Sequence, residues 1–194
     1  MEKVSYALGL SLGNNLLGSG VTALDSARLA KGIQDVLDQK QPEISYEEAQ
    51  AIINDFFQGL QAKMTEKAQA EGIAFLAENA KRPEVVTTAS GLQYEILTAA
   101  EGDIPTASDS VKVHYHGMLV DGNVFDSSVN RGEPATFGVT QVISGWVEAL
   151  QLMPVGSKWK LFIPSELAYG AQGAGQSIAP HSTLIFEVEL LAIV

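Results

Sequence analysis

Six aromatic residues, Tyr115, Phe125, Phe137, Trp146, Tyr169 and Phe186, recur through the second half of the chain, most of them in three blocks. These are VHYHG to GNVFDSS (113 to 128), VISGWVEAL (142 to 150) and ELAYG to IAPHSTLIFEVELL (166 to 191). Little charged chemistry accompanies them. The pattern points to an apolar pocket that works by shape and dryness, and no nucleophile, general base or metal site of convincing form accompanies it. Asp126 follows Phe125 directly. A carboxylate there serves as an acceptor that fixes loop geometry and polarises the cavity; general acid–base work is the alternative. Arg131, five residues on, either pairs with Asp126 or stands on the surface. His114 and His116 share one face of a strand and His181 lies in the last loop, but no carboxylate pattern supports them as ligands, so neither a metal nor a cofactor is expected. The glycine-rich GAQGAG (170 to 175) lacks the lysine and the strand-to-helix setting of a phosphate loop and reads as a mobile flap. Taken singly, Trp146 would be core and Tyr169 a turn residue.

These residues need a β framework, and the periodicity supplies one. Leu92, Tyr94 and Ile96 alternate, as do Val111, Val113 and Tyr115, then Leu161 and Ile163, then Leu184, Phe186, Val188 and Leu190. Asp121-Gly122-Asn123 marks a hairpin. One short helix stands out, Gly145 to Leu150, directly after Val142-Ile143. An antiparallel sheet wrapped around that helix follows, with the loop 169 to 181 folded over one edge.

The first half is helical. Apolar positions on a 3.6-residue period run from Val4 to Leu16, with Tyr6, Leu10 and Leu17 on other faces, so this helix must be covered on several sides. Gly9 and Gly13 lie on one face and leave room for a neighbouring helix. A second helix begins after Asp25, an N-cap residue type, and ends before Pro42. Ser45 and Glu48 form a capping box that opens a helix from about 45 to 81, roughly 55 Å long at 1.5 Å per residue. Its first half is striped by Ile52, Ile53, Phe56 and Phe57, while 61 to 72 is polar and belongs in solvent as a stalk. Such a thin core is completed by a second copy. The expectation is an α+β chain: an all-helical dimerisation domain over 1–82 with its long connecting helix, then a β-rich domain over 83–194 that carries the pocket, with the homodimer formed through residues 1–60. A monomeric helical cap on the second domain is the alternative.

Composition narrows the partners. The 194 residues are 46% apolar and carry a formal charge of −11. Residues 84–194 hold 4 basic against 12 acidic side chains, which argues against nucleic acid or an anionic membrane as partner. There is no cysteine, which excludes disulfides and thiolate metal sites. No stretch approaches the roughly 20 apolar residues that span a bilayer. With no signal peptide legible, a cytoplasmic location is expected, or a periplasmic one if a leader is removed.

The strings VHYHG, GNVFDSS, VISGW, LMPVGSKWKLFIP, ELAYG and PHSTLIFEVELL, near-colinear from about 91 to 194, resemble the FKBP-type peptidyl-prolyl cis-trans isomerases. The helical extension resembles the bacterial Mip-like subfamily, in particular its dimeric FklB type. The resemblance implies an isomerase acting on proline-containing unfolded or partly folded proteins, with macrolide inhibitors as further ligands. It implies a pocket of Tyr115, Phe125, Asp126, Phe137, Val142, Ile143, Trp146, Tyr169, Ile178 and Phe186. In it the proline ring rests on the Trp146 indole, and the Tyr169 hydroxyl and the Ile178 backbone N–H donate to substrate carbonyls. Ala135 and Ala174-Gly175 depart from the bulkier residues of many members, which bears on inhibitor affinity and on the residue preferred before proline. A holdase chaperone, a binding module for unfolded chains without catalysis, is the competing reading.

Overall fold

The computed structural model describes residues 1–175 and 177–194; Gln176, within the loop 169 to 181, lies outside the described residues. The chain packs as two units, Met1–Lys63 and Met64–Val194.

The first unit holds α1 (Glu2–Gly18), α2 (Ser26–Leu37) and the first part of α3 (Tyr46–Asn79). The starts of α2 and α3 have local causes. The Asp25 carboxylate accepts from the N–H groups of Ala27 and Arg28, both at 3.0 Å, and Ser45 Oγ accepts from Glu48 N–H at 3.0 Å. Little of the unit's apolar surface is covered. Val21 is its buried hydrophobic residue, whereas Leu8, Leu10, Ile33, Ile52 and Phe56 are exposed. Burying a side chain of this size is worth about 1.5–3 kcal/mol, so these faces carry a large unmet drive to associate.

In the second unit the last turns of α3 dock on a seven-stranded antiparallel sheet. Its strands are β1 (Val85–Thr87), β2 (Gln93–Thr98), β3 (Ser110–Leu119), β4 (Val124–Ser127), β5 (Ala135–Gly138), β6 (Lys158–Ile163) and β7 (Leu184–Ile193). Their order is β1-β2-β6-β7-β3-β4, with β5 also paired to β3. Gly72 lets the helix close on the sheet, for a Cβ there would stand 2.4 Å from Thr183 Oγ1. Phe75 packs on Phe162 at 5.8 Å, and the buried Asn79 amide donates to Gln93 Oε1 at 2.8 Å. Gln93 in turn donates to Leu76 O at 2.9 Å. Because of these contacts the packed units divide at Lys63, well before the break at Pro83 that the sequence suggests. The sequence reading also lacks β1 and β5, which are too short to show alternation, and the one-turn helix α4 (Ser128–Arg131). The expected short helix is α5 (Ser144–Leu150). Among the described residues no helix is long and apolar enough to cross a membrane.

Candidate active site

The pocket lies between the sheet and α5, and two glycines allow it. A Cβ on Gly145 would stand 2.5 Å from Ile163 Cγ2, so glycine lets α5 press against β6. A Cβ on Gly117 would stand 2.7 Å from Phe186 and 2.8 Å from Phe125, so glycine on β3 leaves room for both rings to lie over the strand. Trp146, on the first turn of α5, is 4% exposed and forms the hub. Tyr115, Phe137 and Phe186 meet it nearly perpendicular, at 5.5, 6.0 and 5.3 Å between ring centres, and Phe125 meets Phe186 at 5.4 Å. Perpendicular packing turns ring edges toward ring faces, the favoured arrangement for aromatic pairs. The cavity so framed measures about 480 Å³. Tyr115, Phe125, Asp126, Phe137, Val142, Ile143, Trp146, Tyr169 and Phe186 line it, together with Gln141.

One polar network braces a wall of this cavity. The Tyr115 hydroxyl donates to Asp126 Oδ2 at 2.5 Å, Arg131 donates to the Tyr115 oxygen at 2.9 Å and to Asp126 Oδ1, and the guanidinium carbon lies 5.6 Å from the Tyr115 ring centre. Of the two sequence alternatives for Arg131, pairing with Asp126 is the one realised. Burial raises the Asp126 carboxyl, but the hydrogen bonds from Tyr115 and Arg131 outweigh it and hold the group below the usual carboxylate range. Burial, then the bond to Asp126, pushes the Tyr115 phenol up. Asp126 is therefore an ionised acceptor near neutral pH and Tyr115 a protonated donor, and neither is tuned for proton transfer. Ser128 Oγ fixes the backbone beside this network, accepting from Tyr115 N–H at 2.7 Å. His114 and His116 point away from the network, their Nδ1 atoms 3.1 Å from Ser128 Oγ and 2.9 Å from Ser127 Oγ.

Tyr169 stands at the mouth, 40% exposed, and its hydroxyl has no partner among the described residues. Backbone hydrogen bonds join described parts of the loop that carries it. His181 N–H donates to Gly170 O at 2.8 Å, and Ala174 and Ile178 exchange backbone hydrogen bonds at 2.9 and 3.1 Å. That exchange alters one expected role. Ile178 is buried in the core outside the cavity lining, and its N–H, assigned by the resemblance to a substrate carbonyl, already donates to Ala174 O. Ile143, by contrast, lines the cavity as the N-cap of α5, and its N–H has no acceptor among the described residues. Sequence spacing could not separate these two isoleucines. Gln141 was missed because a polar residue before Val142-Ile143 carries no pattern of its own.

Comparison with known proteins agrees with this geometry. A family model described as FKBP-type peptidyl-prolyl cis-trans isomerase matches residues 102–191, and one described as the domain amino terminal to it matches residues 1–96. The FKBP-type 22 kDa peptidyl-prolyl cis-trans isomerase of Escherichia coli is 50% identical over 194 residues, covering 98% of this chain and 94% of that protein. The chain belongs to the FKBP-type peptidyl-prolyl cis-trans isomerases. The Outer membrane protein MIP of Legionella longbeachae is 43% identical, covering 99% of this chain and 85% of that protein, in keeping with a Mip-like FKBP. The crystal structure of FkpA from Escherichia coli aligns with a TM-score of 0.75 at 39% identity, covering 98% of this chain and 95% of that one. The activity is peptidyl-prolyl cis-trans isomerisation, and the α+β architecture with a helical N-terminal region is that of the family.

Proposed function

We propose that catalysis rests on the Trp146-centred cavity, with the proline ring seated on the indole among Tyr115, Phe125, Phe137, Val142, Ile143 and Phe186. The carrying observation is a cavity whose walls are aromatic and whose one ion pair is already internally satisfied. A planar X-Pro imide is held by resonance behind a barrier of about 18–20 kcal/mol. At the perpendicular transition state that resonance is lost and the C–N unit is less charge-separated, so a dry apolar site favours it over the planar ground state. Four to five decades of acceleration require roughly 6–7 kcal/mol. Desolvation, a twisted bound substrate and donors from the Tyr169 hydroxyl and the Ile143 N–H can supply that. Asp126 and Arg131 hold Tyr115 in place and transfer no proton.

Residues 1–60 act as a homodimerisation region in this proposal, supported by the exposed apolar faces of α1, α2 and the first half of α3. Residues 83–194 carry the chemistry, and the end of α3 travels with them. The substrates are proline-containing unfolded or partly folded chains, held between paired arms, and macrolides would compete for the same cavity. The same apolar faces also favour a second reading, in which the arms hold unfolded chains independently of isomerisation.

The test is the cis-to-trans rate of a short X-Pro peptide with wild type, Trp146→Ala and Tyr169→Phe, each checked for folding. Strong acceleration, lost mainly in Trp146→Ala while suppression of aggregation survives, is the expected result. A folded wild-type chain that does not accelerate the peptide would make the holding role primary.

A further inference from the structure

Tyr115 stands at a gap in the sheet. Along one edge of β3, β7 pairs every residue from Val111 to Leu119. Along the other edge Val111 and Val113 face Phe137 and Ala135 of β5, and Gly117 faces Asp126 of β4; among the described residues no strand residue faces Tyr115 there. The chain leaves β4 at Ser127, makes the single turn α4 and re-enters the sheet as β5. A residue in a hydrogen-bonded antiparallel pair exchanges two bonds with its partner, through its N–H and its C=O. The Ser128 hydroxyl takes over both. Its oxygen accepts from Tyr115 N–H at 2.7 Å, and it donates to Tyr115 O at 3.2 Å. Ser128 and Tyr115 are both buried, so an unmet N–H or C=O at this point is costly.

The same helical turn grips the far end of the residue. Arg131, the last residue of α4, donates to the Tyr115 oxygen at 2.9 Å, and Ser127 Oγ caps the turn by accepting from Asn130 N–H at 3.1 Å. Tyr115 is thus held at its backbone by the first residue of α4 and at its hydroxyl by the last. Between those two points its ring meets Trp146, Phe137 and Phe186, at 5.5, 6.0 and 6.4 Å between ring centres. Without the Ser128 hydroxyl, β3 must shift toward another partner for Tyr115, and the ring moves with it. We propose that Ser128 is a positioning residue for isomerisation: it replaces the missing strand partner of Tyr115 and so sets that ring against the Trp146 indole. This rests on the Trp146-centred cavity being the site of isomerisation.

The test measures kcat and KM on a short Leu-Pro peptide, with urea unfolding alongside, for the full chain and its variants. Ser128→Ala should lose about ten- to hundredfold in kcat/KM, chiefly through kcat, as a misplacement approaching 1 Å implies. Asn79→Ala removes a buried hydrogen bond outside the cavity lining and should be destabilised with kcat unchanged, so lost stability alone does not move the readout. Tyr115→Leu keeps apolar bulk but leaves no ring to place. On that background Ser128→Ala should still lower the urea midpoint yet cost less than about twofold in kcat/KM, a coupling that general loosening would not give. Ser128→Cys, whose thiol is a weak donor and acceptor, should fall between serine and alanine, and it runs the same comparison should the alanine variant not fold. Wild-type kcat/KM in the folded alanine variant, or in the cysteine variant standing in for it, overturns the positioning role and leaves the cavity reading intact, as does an equal loss on both backgrounds. No acceleration of the peptide by wild type overturns both.

Discussion

Replacing Gly117 by alanine adds one methyl group at the most crowded point of the cavity wall. The new Cβ would stand 2.7 Å from Phe186 Cε1 and 2.8 and 2.9 Å from Phe125 Cε2 and Cζ. Carbon atoms in contact settle at about 3.5–4.0 Å, so each ring must retreat by roughly 0.7 Å or more, or β3 must bow away from them. Phe186 sits on β7 against Trp146 at 5.3 Å, and Phe125 is held edge-on to Phe186. Overpacking of this kind costs about 1–3 kcal/mol. A 2 kcal/mol loss lowers the melting temperature by about 4–8 °C at this chain length. Activity should fall further than stability, since a misplacement near 1 Å can cost about 10²-fold in rate. Equilibrium urea unfolding and the isomerisation rate of a Leu-Pro peptide read the two effects separately. Gly59→Ala, in α3 where an added Cβ meets nothing within 4 Å of this chain, is the control. A folded Gly117→Ala variant with wild-type kcat/KM and unchanged urea midpoint would refute the claim that these rings are seated by the missing side chain.

Three further outcomes are expected. Asp126 has a folded-state pKa below its unfolded value, so its contribution is present above about pH 4 and is lost as pH falls through the lower, folded value. Tyr115 is raised, so its contribution is complete below about pH 10 and fades as pH rises through the folded value. A pH profile of kcat/KM should therefore be flat between about pH 5 and 9, and an inflection near pH 7 would contradict the assignments. Asn79→Ala strands the Gln93 oxygen and should cost about 1–3 kcal/mol in chemical denaturation without changing kcat; unaltered stability would argue against the amide pair. Phe56→Asp should convert a dimer to monomers in sedimentation of the full chain at micromolar concentration, with short-peptide activity retained. A wild type that already sediments as a monomer removes the dimer proposal.

What the sequence reveals follows from how far each interaction reaches along the chain. Trp146, Tyr115 and Phe186 were legible because they sit at fixed offsets inside strings that specify a strand or a helix start. The caps at Asp25 and Ser45 were legible because their partners lie two or three residues away. The docking of α3 was not, since Gly72 meets Thr183 and Asn79 meets Gln93 only after the sheet has formed. The choice between Ile143 and Ile178 as donor depends on whether an N–H is already engaged, a matter of loop closure that apolar spacing does not encode. Gln141 escaped notice for a related reason: its position depends on the space left at Gly138, and an absent side chain makes no pattern.

The place of β7 in the sheet bears on how the enzyme itself is made. It follows every other strand in the chain, yet it lies between β6 and β3 and carries Phe186 into the cavity. Until Leu184–Ile193 has emerged from the ribosome, β3 and β6 have no strand between them and the pocket lacks a wall. The helices of residues 1–60 have by then long been exposed, free to meet a second nascent copy. Synthesis therefore delivers the helices of residues 1–60 well before the isomerase fold can close, and a peptidyl-prolyl isomerase has no complete pocket until β7 has been made.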